Sequence, residues 1–345
     1  MKDLAGKKVF VGLSGGVDSA VSAALLLQRG AEVTGVFIKG WYPPGMPCTW
    51  SEDRRDAMRA AAHLGIPFHT LDASREYKEG VIDYLLSEYA LGRTPNPDIV
   101  CNKGVRFGVF WDFACKNGAD YLATGHYAIN KEGEIYRGVD ESKDQSYFLW
   151  AASKEALSHT LFPLGELQKD DTRRLARELR LPQATKRDSQ GVCFLGNISM
   201  EDFLRNELDP TPGEALDEHG AVLGTHEGSV LATLGERVSL TDAPQGPWYV
   251  LKKDMVNNTL TVAHEPRVKS SEKVIRISNT HLLSTEALEG EVEAQYRYHG
   301  PRIKGLLSPD ATSFTPSTEL EEALAPGQSL VLYRDGKLVG GGIIE

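Results

Sequence analysis

The sequence predicts an α/β N-terminal domain, with a parallel sheet flanked by helices, followed by two small β-rich domains. In the first third, short β-branched apolar runs alternate with longer amphipathic stretches, which is typical of strand–helix–strand units. From Glu214 onward, short apolar runs are separated by turns such as DEHG and RDGK, and helical periodicity is weak. We therefore expect domains over residues 1–205, 206–270 and 271–345.

The N-terminal elements occur in an order that fits one right-handed crossover. Lys8 to Leu13 and Val33 to Ile38 have the pattern of buried strands, and the stretch Ala20 to Arg29 between them is rich in helix formers. Gly30 then predicts the C-terminal end of that helix. Further helices are predicted over Glu52 to Leu64, Glu76 to Leu91 and Val105 to Ala114, and a further strand over Asp120 to Thr124.

Composition and charge narrow the class of protein. A chain of 345 residues with 41% apolar residues is long enough for two or three buried cores. The formal net charge of -10 argues against a protein that coats nucleic acid non-specifically, although a local basic patch stays compatible with it. No run approaches the roughly 20 apolar residues of a membrane span, so we expect a soluble, cytoplasmic protein.

A glycine-rich loop, SGGVDS, lies between the first predicted strand and helix, at Ser14 to Ser19. Backbone amides at a helix N-terminus bind anions, and glycines let a phosphate approach them. The hydroxyls of Ser14 and Ser19 add donors, and Asp18 is suited to orient the loop or to hold a phosphate-bound Mg²⁺. The patterns GxxxxGK[ST] and GxGxxG are absent, which disfavours the common kinase-like and dinucleotide-binding interpretations. A simple tight turn is the alternative.

The cysteines do not form a disulfide framework or CxxC pairs, so we expect thiols. Pro95 and Pro97 predict a stiff, exposed loop with Cys101 at its exit. Cys193 follows cationic residues in KRDSQGVCFLG, a setting that favours thiolate. Both are candidate nucleophiles, and a purely structural role is equally compatible with the pattern. The two other cysteines are interpreted as small buried apolar residues, Cys48 and Cys115.

The segment from Lys169 to Asp188 carries a net excess of three positive charges in an acidic protein. Such an excess is suited to bind a polyanion, but a solvated helix face is the more common explanation. Several aromatic residues can stack on bases or belong to the core. They are Tyr127, Tyr136, Tyr147, Phe148 and Trp150.

Together these segments resemble a known family. The loop SGGVDS is similar to the signature of the PP-loop ATP pyrophosphatases, an adenine nucleotide alpha hydrolase-like fold whose members adenylate a substrate. Over nearly the whole chain the sequence resembles the tRNA-specific 2-thiouridylases. The similar segments are GLSGGVDS, GVFIKGW, GRTPNPDIVCN, ATGHYA, KDQSYFL, LFPLGEL, KRDSQGVCFLG, GTHEG, PWYV and APGQSLVLYRDGKLVGGGII.

The resemblance implies a role for individual residues and a β-barrel as the last domain. Residues implied to bind ATP are Gly12, Leu13, Ser14, Gly15, Gly16, Val17, Asp18, Ser19, Ile38 and Gly125. Those implied to contact tRNA are Asn96, Pro97, Asp98, Lys143, Asp144, Gln145, Gln295 and Tyr296. The implied catalytic residues are Cys193, which carries a persulfide, Cys101, which resolves it as a disulfide, and Asp98, an acid or base.

The implied reaction is a tRNA sulfurtransfer at the wobble uridine, position 34 in the anticodon stem-loop. ATP, with Mg²⁺, adenylates O2 of the uridine, and a persulfide sulfur then displaces AMP to give 2-thiouridine. The partners are tRNA and a persulfide sulfur-donor protein, without a membrane. The sequence departs from the family pattern at Ala232 and Glu236, where an aromatic residue and Gln are common, and at Gly40, where Asn is usual.

Two other functions are compatible with the same loop. A PP-loop adenylating ligase that acts on a small molecule needs no RNA, and its cysteines have no chemical role. An ATP-sensing RNA-binding protein without catalysis is the third, although the negative net charge is unfavourable for it.

Overall fold

The computed structural model describes residues 3–43, 50–188, 198–265, 273–284, 290–320 and 323–345. The chain forms two compact units, each assembled from separated stretches. The first contains Met1–Val81, Pro97–Ile198 and Arg334–Val339, and the second contains Ile82–Asn96, Ser199–Tyr333 and Gly340–Glu345. Because neither unit is one continuous stretch, the boundaries near residues 205 and 270 stay predictions.

The first unit contains the predicted parallel sheet. Its strands are β1 (Lys8–Gly12), β2 (Glu32–Lys39), β3 (Phe68–Asp72), β4 (Tyr121–Ala123), β5 (Ala128–Lys131), β6 (Glu134–Arg137) and β7 (Thr160–Leu161). Within the described residues, one sheet has the order β3-β2-β1-β4-β7, with parallel neighbours throughout. Strands β5 and β6 form an antiparallel hairpin. The predicted α/β fold class is confirmed.

The helices lie largely where the sequence predicts them. They are α1 (Val17–Gln28), α2 (Trp50–Leu64), α3 (Ser74–Tyr77), α4 (Asp83–Ala90), α5 (Pro97–Cys101), α6 (Phe110–Lys116), α7 (Lys154–Ser158), α8 (Lys169–Glu178) and α9 (Met200–Leu208). Two π-helical segments, Lys78–Ile82 and Asn102–Val109, follow α3 and α5, and Ser146–Leu149 and Ser229–Leu231 are 3₁₀ turns.

The prediction of an exposed loop that runs to Cys101 is wrong. Helix α5 begins at Pro97, and Cys101 lies inside a helical stretch and is buried. Proline is favoured in the first helical turn, where its missing N–H has no helical partner to lose. The second proline therefore starts a helix and does not extend the loop.

The core of the first unit lies against both faces of the parallel sheet. Val9 and Val11 of β1 are completely buried, as are Ala23 and Leu26 of α1. Burial of both sheet faces explains why these strands read as continuous apolar runs and not as alternating patterns. The arrangement holds the carboxyl ends of β1, β2 and β4 side by side.

The second unit contains the β-rich part of the chain. The strands of this part are β8 (Gly213–Leu216), β9 (Val222–His226), β10 (Arg237–Val238), β11 (Trp248–Asp254), β12 (Thr259–Ala263), β13 (Ile275–Leu282), β14 (Glu291–Gln295), β15 (Arg302–Leu307), β16 (Ser313–Pro316), β17 (Ser329–Arg334) and β18 (Lys337–Ile344). The end of β17 and the start of β18, within Arg334–Val339, belong to the first unit. Among the described residues, one sheet has the order β10-β11-β12-β8-β9. The order β13-β16-β15-β14-β17-β18 closes through pairing of β18 with β13, which confirms the C-terminal barrel.

Candidate nucleotide and sulfur-transfer site

The glycine loop connects β1 to α1 with little side-chain bulk. Gly16 is the N-cap of α1 and has no side chain to cap the first-turn amides. Gly15 has a φ of +81°, and a Cβ added there would lie 2.3 Å from the carbonyl oxygen of Asp53. Both the backbone conformation and the available space therefore require glycine at position 15. The helix N-terminus is open to an anion.

Two hydroxyls stabilise the loop from inside. The Ser14 N–H donates to Ser19 Oγ at 3.2 Å, and Ser19 Oγ donates to the Gly16 carbonyl oxygen at 3.2 Å. The two hydroxyl oxygens lie 3.3 Å apart. The N–H of the N-cap residue Gly16 also donates to Ser14 Oγ, at 3.4 Å. These loop bonds do not use the N–H groups of Val17, Asp18 and Ser19 in the first turn of α1.

The remaining predicted ATP-binding residues lie around the same sheet edge. A Cβ added to Gly125, just beyond β4, would lie 2.9 Å from the Ser19 nitrogen. The Leu13 N–H donates to the Val36 carbonyl oxygen at 2.8 Å, and the half-buried Ile38 lies near the end of β2. Ligands of open α/β sheets bind at the carboxyl ends of the strands. The fold thus brings the loop, Ile38 and Gly125 to the expected edge.

Asp18 is the centre of an ion-pair network that the sequence analysis missed. Lys169 Nζ lies 2.7 and 2.8 Å from the two carboxylate oxygens of Asp18 and 3.0 Å from Asp188. The Tyr127 hydroxyl lies 3.0 Å from Asp18 Oδ1, and burial together with Asp18 raises the pKa of Tyr127. Lys169 thus connects the nucleotide loop to Asp188, which directly precedes the stretch containing Cys193 in sequence.

Three other cations of the basic segment, Arg173, Arg174 and Lys186, also form ion pairs in the described part of the chain. Arg173 contacts Asp188, and Lys186 Nζ lies 2.9 Å from Asp53 and 2.8 Å from Asp56. Burial alone would raise the pKa of Asp188, but the Lys169 hydrogen bond and the neighbouring cations lower it. Part of the positive charge of this segment is therefore balanced by nearby carboxylates.

Asp98 and Cys101 lie on the short helix α5. Asp98 is half-buried, and its burial raises the pKa of the carboxyl group against the opposing effect of Arg106. Cys101 is 3% exposed. A carboxyl group with a raised pKa is suited to general acid or base catalysis near neutral pH.

Asn102 and Arg106 stabilise the turn that follows Cys101. Asn102 is buried, its amide donates to the Phe148 carbonyl oxygen at 3.2 Å, and Arg106 donates to its side-chain oxygen at 3.0 Å. Two contacts from one amide explain why Asn102 is tolerated in the core. The backbone beside Cys101 is thereby fixed.

His126 is a second buried titratable group that sequence reasoning left without a role. Its Nδ1 lies 2.8 Å from Thr124 Oγ1, and its ring packs against Phe107. Burial, with a smaller effect of Arg106, lowers the pKa of His126 to about 3. The imidazole is therefore neutral at physiological pH.

The residues expected to contact tRNA differ in exposure. Lys143 and Gln145 are half-buried, and Gln145 Oε1 accepts a bond of 3.1 Å from the Tyr127 N–H. Asp144 is buried and accepts bonds of 2.9 Å from the Gly138 N–H and 3.1 Å from the Ser146 hydroxyl. Asp144 thus fixes the backbone of the loop that contains Lys143 and Gln145.

In the second unit, Gln295 ends β14 and Tyr296 follows it, and both are buried. Asn96 is half-buried, as part of the same unit. Pro97, at the start of α5, is buried. The roles of these residues stay predictions.

The four cysteines have different outcomes. Cys193 and Cys48 lie outside the described residues, so the predicted Cys101–Cys193 pair stays a prediction. Cys115 is exposed, so its interpretation as a buried apolar residue is wrong. It lies on the solvent side of α6, whereas the preceding Ala114 is completely buried.

Within the described ranges, no group of three or more His, Cys, Asp or Glu side chains is arranged to hold a metal ion. In the same part of the chain, no helix has the length and apolar character to cross a bilayer.

The fold and the loop define a nucleotide-binding α/β enzyme class with two β-rich additions, and comparison with known proteins identifies the family. Three family models match consecutive parts of the chain. A tRNA methyl transferase HUP domain matches residues 7–197, a tRNA methyl transferase PRC-barrel domain residues 201–264, and an aminomethyltransferase beta-barrel domain residues 272–344.

Full-length relatives are named more specifically. The tRNA-specific 2-thiouridylase MnmA of Idiomarina loihiensis is 42% identical, over 99% of this chain and 96% of the relative. The tRNA-specific 2-thiouridylase MnmA 1 of Geobacillus kaustophilus is 41% identical, over 98% and 95%. The chain belongs to the tRNA-specific 2-thiouridylase family, as its sequence motifs indicate.

Among solved structures, the U34-tRNA thiolase NcsA from Methanococcus maripaludis is similar with a TM-score of 0.38 and 16% identity. The similarity covers 55% of this chain and 62% of that chain.

Proposed function

We propose that this protein is a tRNA 2-thiouridylase, an ATP-dependent tRNA sulfurtransferase that acts on the wobble uridine, position 34. The observation that carries the proposal is the open glycine loop, which lies in a chain similar to named 2-thiouridylases over its whole length. The loop leaves helix N-terminal amides for phosphates, and the half-buried Asp98 and the buried Cys101 lie together on α5. The proposed reaction needs a nucleotide-binding loop, an acid–base group and a thiol, and the glycine loop, Asp98 and Cys101 are suited to these three roles.

The first step activates the base. Uracil O2 attacks the α-phosphorus of ATP, so an O2–P bond forms, the bond to the β-phosphate oxygen breaks, and pyrophosphate leaves. The attack requires loss of the N3 proton, and Asp98 is the group that accepts it. The uridine must leave its stack to reach the site.

The second step replaces oxygen by sulfur. The terminal sulfur of a Cys193 persulfide attacks C2, and AMP leaves with the former O2. The Cys101 thiolate attacks the Cys193 sulfur, so a Cys101–Cys193 disulfide forms and the bond between Cys193 and the transferred sulfur breaks. The transferred sulfur stays on C2, and the proton held by Asp98 returns to N3. A dithiol reductant must then reduce the disulfide, and a persulfide sulfur-donor protein must reload Cys193, before the next turnover.

Mg²⁺ would reach the loop with the phosphates of ATP, and Asp18 is the carboxylate that the loop would offer it. Both Asp18 oxygens are bonded to Lys169 Nζ in this structure, so the ion would take one of them only after that ion pair opens. When bound, the ion neutralises charge on the pyrophosphate leaving group. Lys169, which is paired with Asp18, orients that carboxylate.

For tRNA recognition we propose two groups of contacts. Asn96, Pro97 and Asp98 meet the target base. The loop Lys143 to Gln145 and the pair Gln295 and Tyr296 contact the anticodon stem-loop, with Lys143 suited to phosphate. We further propose that the protein works in the cytoplasm, where its tRNA substrate is found.

One reconstitution tests the proposal. Purified protein is mixed with ATP, Mg²⁺, unmodified tRNA and a persulfide donor, and AMP release and retardation of tRNA on a mercury-containing gel are measured. We expect tRNA-dependent AMP release and thiolated tRNA. The Cys193→Ser and Cys101→Ser variants should lose thiolation, whereas the exposed-thiol control Cys115→Ser should retain it.

Other outcomes support the alternatives. AMP formation that needs a small molecule but no tRNA would identify another PP-loop adenylating ligase. ATP and RNA binding without AMP release would identify a sensor.

A further inference from the structure

Thr94, two residues before Asn96, has all three of its hydrogen-bonding groups occupied within the second unit. Its N–H donates to the Pro326 carbonyl oxygen at 2.7 Å, and its carbonyl oxygen accepts from Gln328 Nε2 at 2.8 Å. Its hydroxyl donates to Thr233 Oγ1 at 3.2 Å. We call these four residues, Thr94, Thr233, Pro326 and Gln328, the Thr94 clamp.

The clamp partners are themselves anchored. The Gly327 N–H donates to the Ile344 carbonyl oxygen at 2.9 Å, and the Ile344 N–H donates to the Gln328 carbonyl oxygen at 2.8 Å. Since Ile344 ends β18, the turn that holds Thr94 is fixed to the barrel. In the central sheet region, the Thr233 N–H is held by Glu236 Oε2 at 2.9 Å.

Close backbone approach adds to these bonds. Gly327 has a φ of +93°, and a Cβ added there would lie 2.9 Å from the Thr94 nitrogen. Gly92 has a φ of +78°, and an added Cβ would lie 2.6 Å from Met255 Cγ. At Gly327 and at Gly92, both the backbone conformation and the short distance to the neighbouring atom therefore favour glycine.

The clamp is connected to the proposed uridine site by a stiff stretch of chain. Pro95 and Pro97 each have a fixed φ, and each also restricts the residue before it. Helix α5 then begins at Pro97 and carries Asp98. A position imposed at Thr94 therefore reaches Asp98 through few free torsions.

From these contacts we infer that the Thr94 clamp positions the Asn96–Asp98 segment for reaction. Thr94 and Gln328 are thus positioning residues, and the barrel acts on thiolation through this contact in addition to any binding of tRNA. The inference rests on the proposed function for its activity readout. Its structural part can be measured independently.

The test uses the full-length protein with isosteric changes. Gln328→Glu removes the N–H that holds Thr94, and Thr94→Val removes the hydroxyl, whereas Thr94→Ser keeps it. Val222→Thr, at a 59% exposed position of the same unit, is the control. For each variant we would measure the single-turnover thiolation rate, the KM for tRNA, ATP binding, and amide hydrogen exchange over residues 92–102.

We expect Gln328→Glu to lower the single-turnover rate at saturating tRNA by about tenfold to a hundredfold, since misplacing a reacting group by 1 Å has effects of that size. The KM for tRNA should change by less than about threefold, because the clamp acts on placement more than on binding. ATP binding should be unchanged, and exchange should accelerate only over residues 92–102. Thr94→Val should do the same more weakly, and Thr94→Ser and Val222→Thr should match wild type.

Three outcomes would overturn the inference. They are wild-type rates and exchange in both Gln328→Glu and Thr94→Val, a change in the KM for tRNA alone, and faster exchange throughout the second unit with a lower Tm. If wild-type protein fails to thiolate tRNA, the proposed function fails, but local exchange over residues 92–102 still decides whether the clamp holds this segment.

Discussion

The nucleotide loop and the Thr94 clamp hold functional backbone in opposite ways. In the loop, Ser14, Ser19 and Gly16 supply the internal contacts, and these bonds do not use the amides of the first turn of α1. In the clamp, the N–H and the carbonyl oxygen of Thr94 are both bound by residues of the barrel region. A segment that binds a ligand through its backbone must leave that backbone accessible, whereas a segment that positions side chains can have it fully bonded.

The largest expected effect is at Gly15, where the loop has no room. Gly15→Ala places a Cβ against the Asp53 carbonyl oxygen and also imposes a positive φ on alanine. We expect ATP binding and thiolation to fall by about 10²-fold or more, because displaced amides no longer match the phosphates. Isothermal titration with ATP and the thiolation assay measure this.

The matched control is Gly6→Ala. Gly6 has a φ of +69°, but no atom lies within 4 Å of an added Cβ. It should cost only about 1 kcal/mol of stability through backbone strain. Equal losses of ATP binding in both variants would contradict the special geometry of the loop.

The next largest effect concerns Asp98. Asp98→Asn should lower the thiolation rate by about 10²-fold, the contribution typical of a general base. ATP and tRNA binding should be retained. Unchanged turnover in this variant would remove Asp98 from the chemistry.

The pH dependence of the same step gives a second measurement of Asp98. Because burial raises the pKa of Asp98, the carboxylate form needed to accept a proton is lost at a higher pH than for an ordinary aspartate. The single-turnover rate should therefore fall as the pH decreases through that raised pKa. Asp98→Asn should lack this acidic limb.

A smaller effect is expected at Lys169, which connects Asp18 to Asp188. Lys169→Met leaves two carboxylates near each other without their shared cation. We therefore expect about a tenfold lower kcat/KM for ATP and a lower Tm. Lys169→Arg keeps the charge and should recover part of the loss. Wild-type ATP kinetics in Lys169→Met would show that the ion pair is not needed to orient Asp18.

The smallest effect concerns stability at mildly acidic pH. The pKa of His126 lies near 3 in the folded protein, well below its ordinary value of 6.5, so only the unfolded chain takes up this proton near pH 5. The stabilisation is present above pH 6.5 and is lost as the pH falls, by at most about 1.4 kcal/mol per pH unit. His126→Gln should lower the pH dependence of the unfolding free energy, measured by urea unfolding from pH 7 to pH 5. An identical slope in the two proteins would contradict this.

The sequence by itself determined the α/β sheet, the SGGVDS loop and the β-rich C-terminal part, because each depends on local periodicity or on neighbouring residues. It also predicted ATP-binding residues that the structure brings to one sheet edge. The start of α5 at Pro97 was missed because a proline that ends one helix can begin another, and the local pattern is the same for both.

Only the tertiary structure decided which distant residues meet. Lys169 pairs with Asp18 across 151 positions, and Gln328 holds Thr94 across 234 positions. The pairing of charges in the basic segment and the exposure of Cys115 also depend on which surfaces the fold brings together. No local pattern encodes such contacts, since they arise from the path of the whole chain.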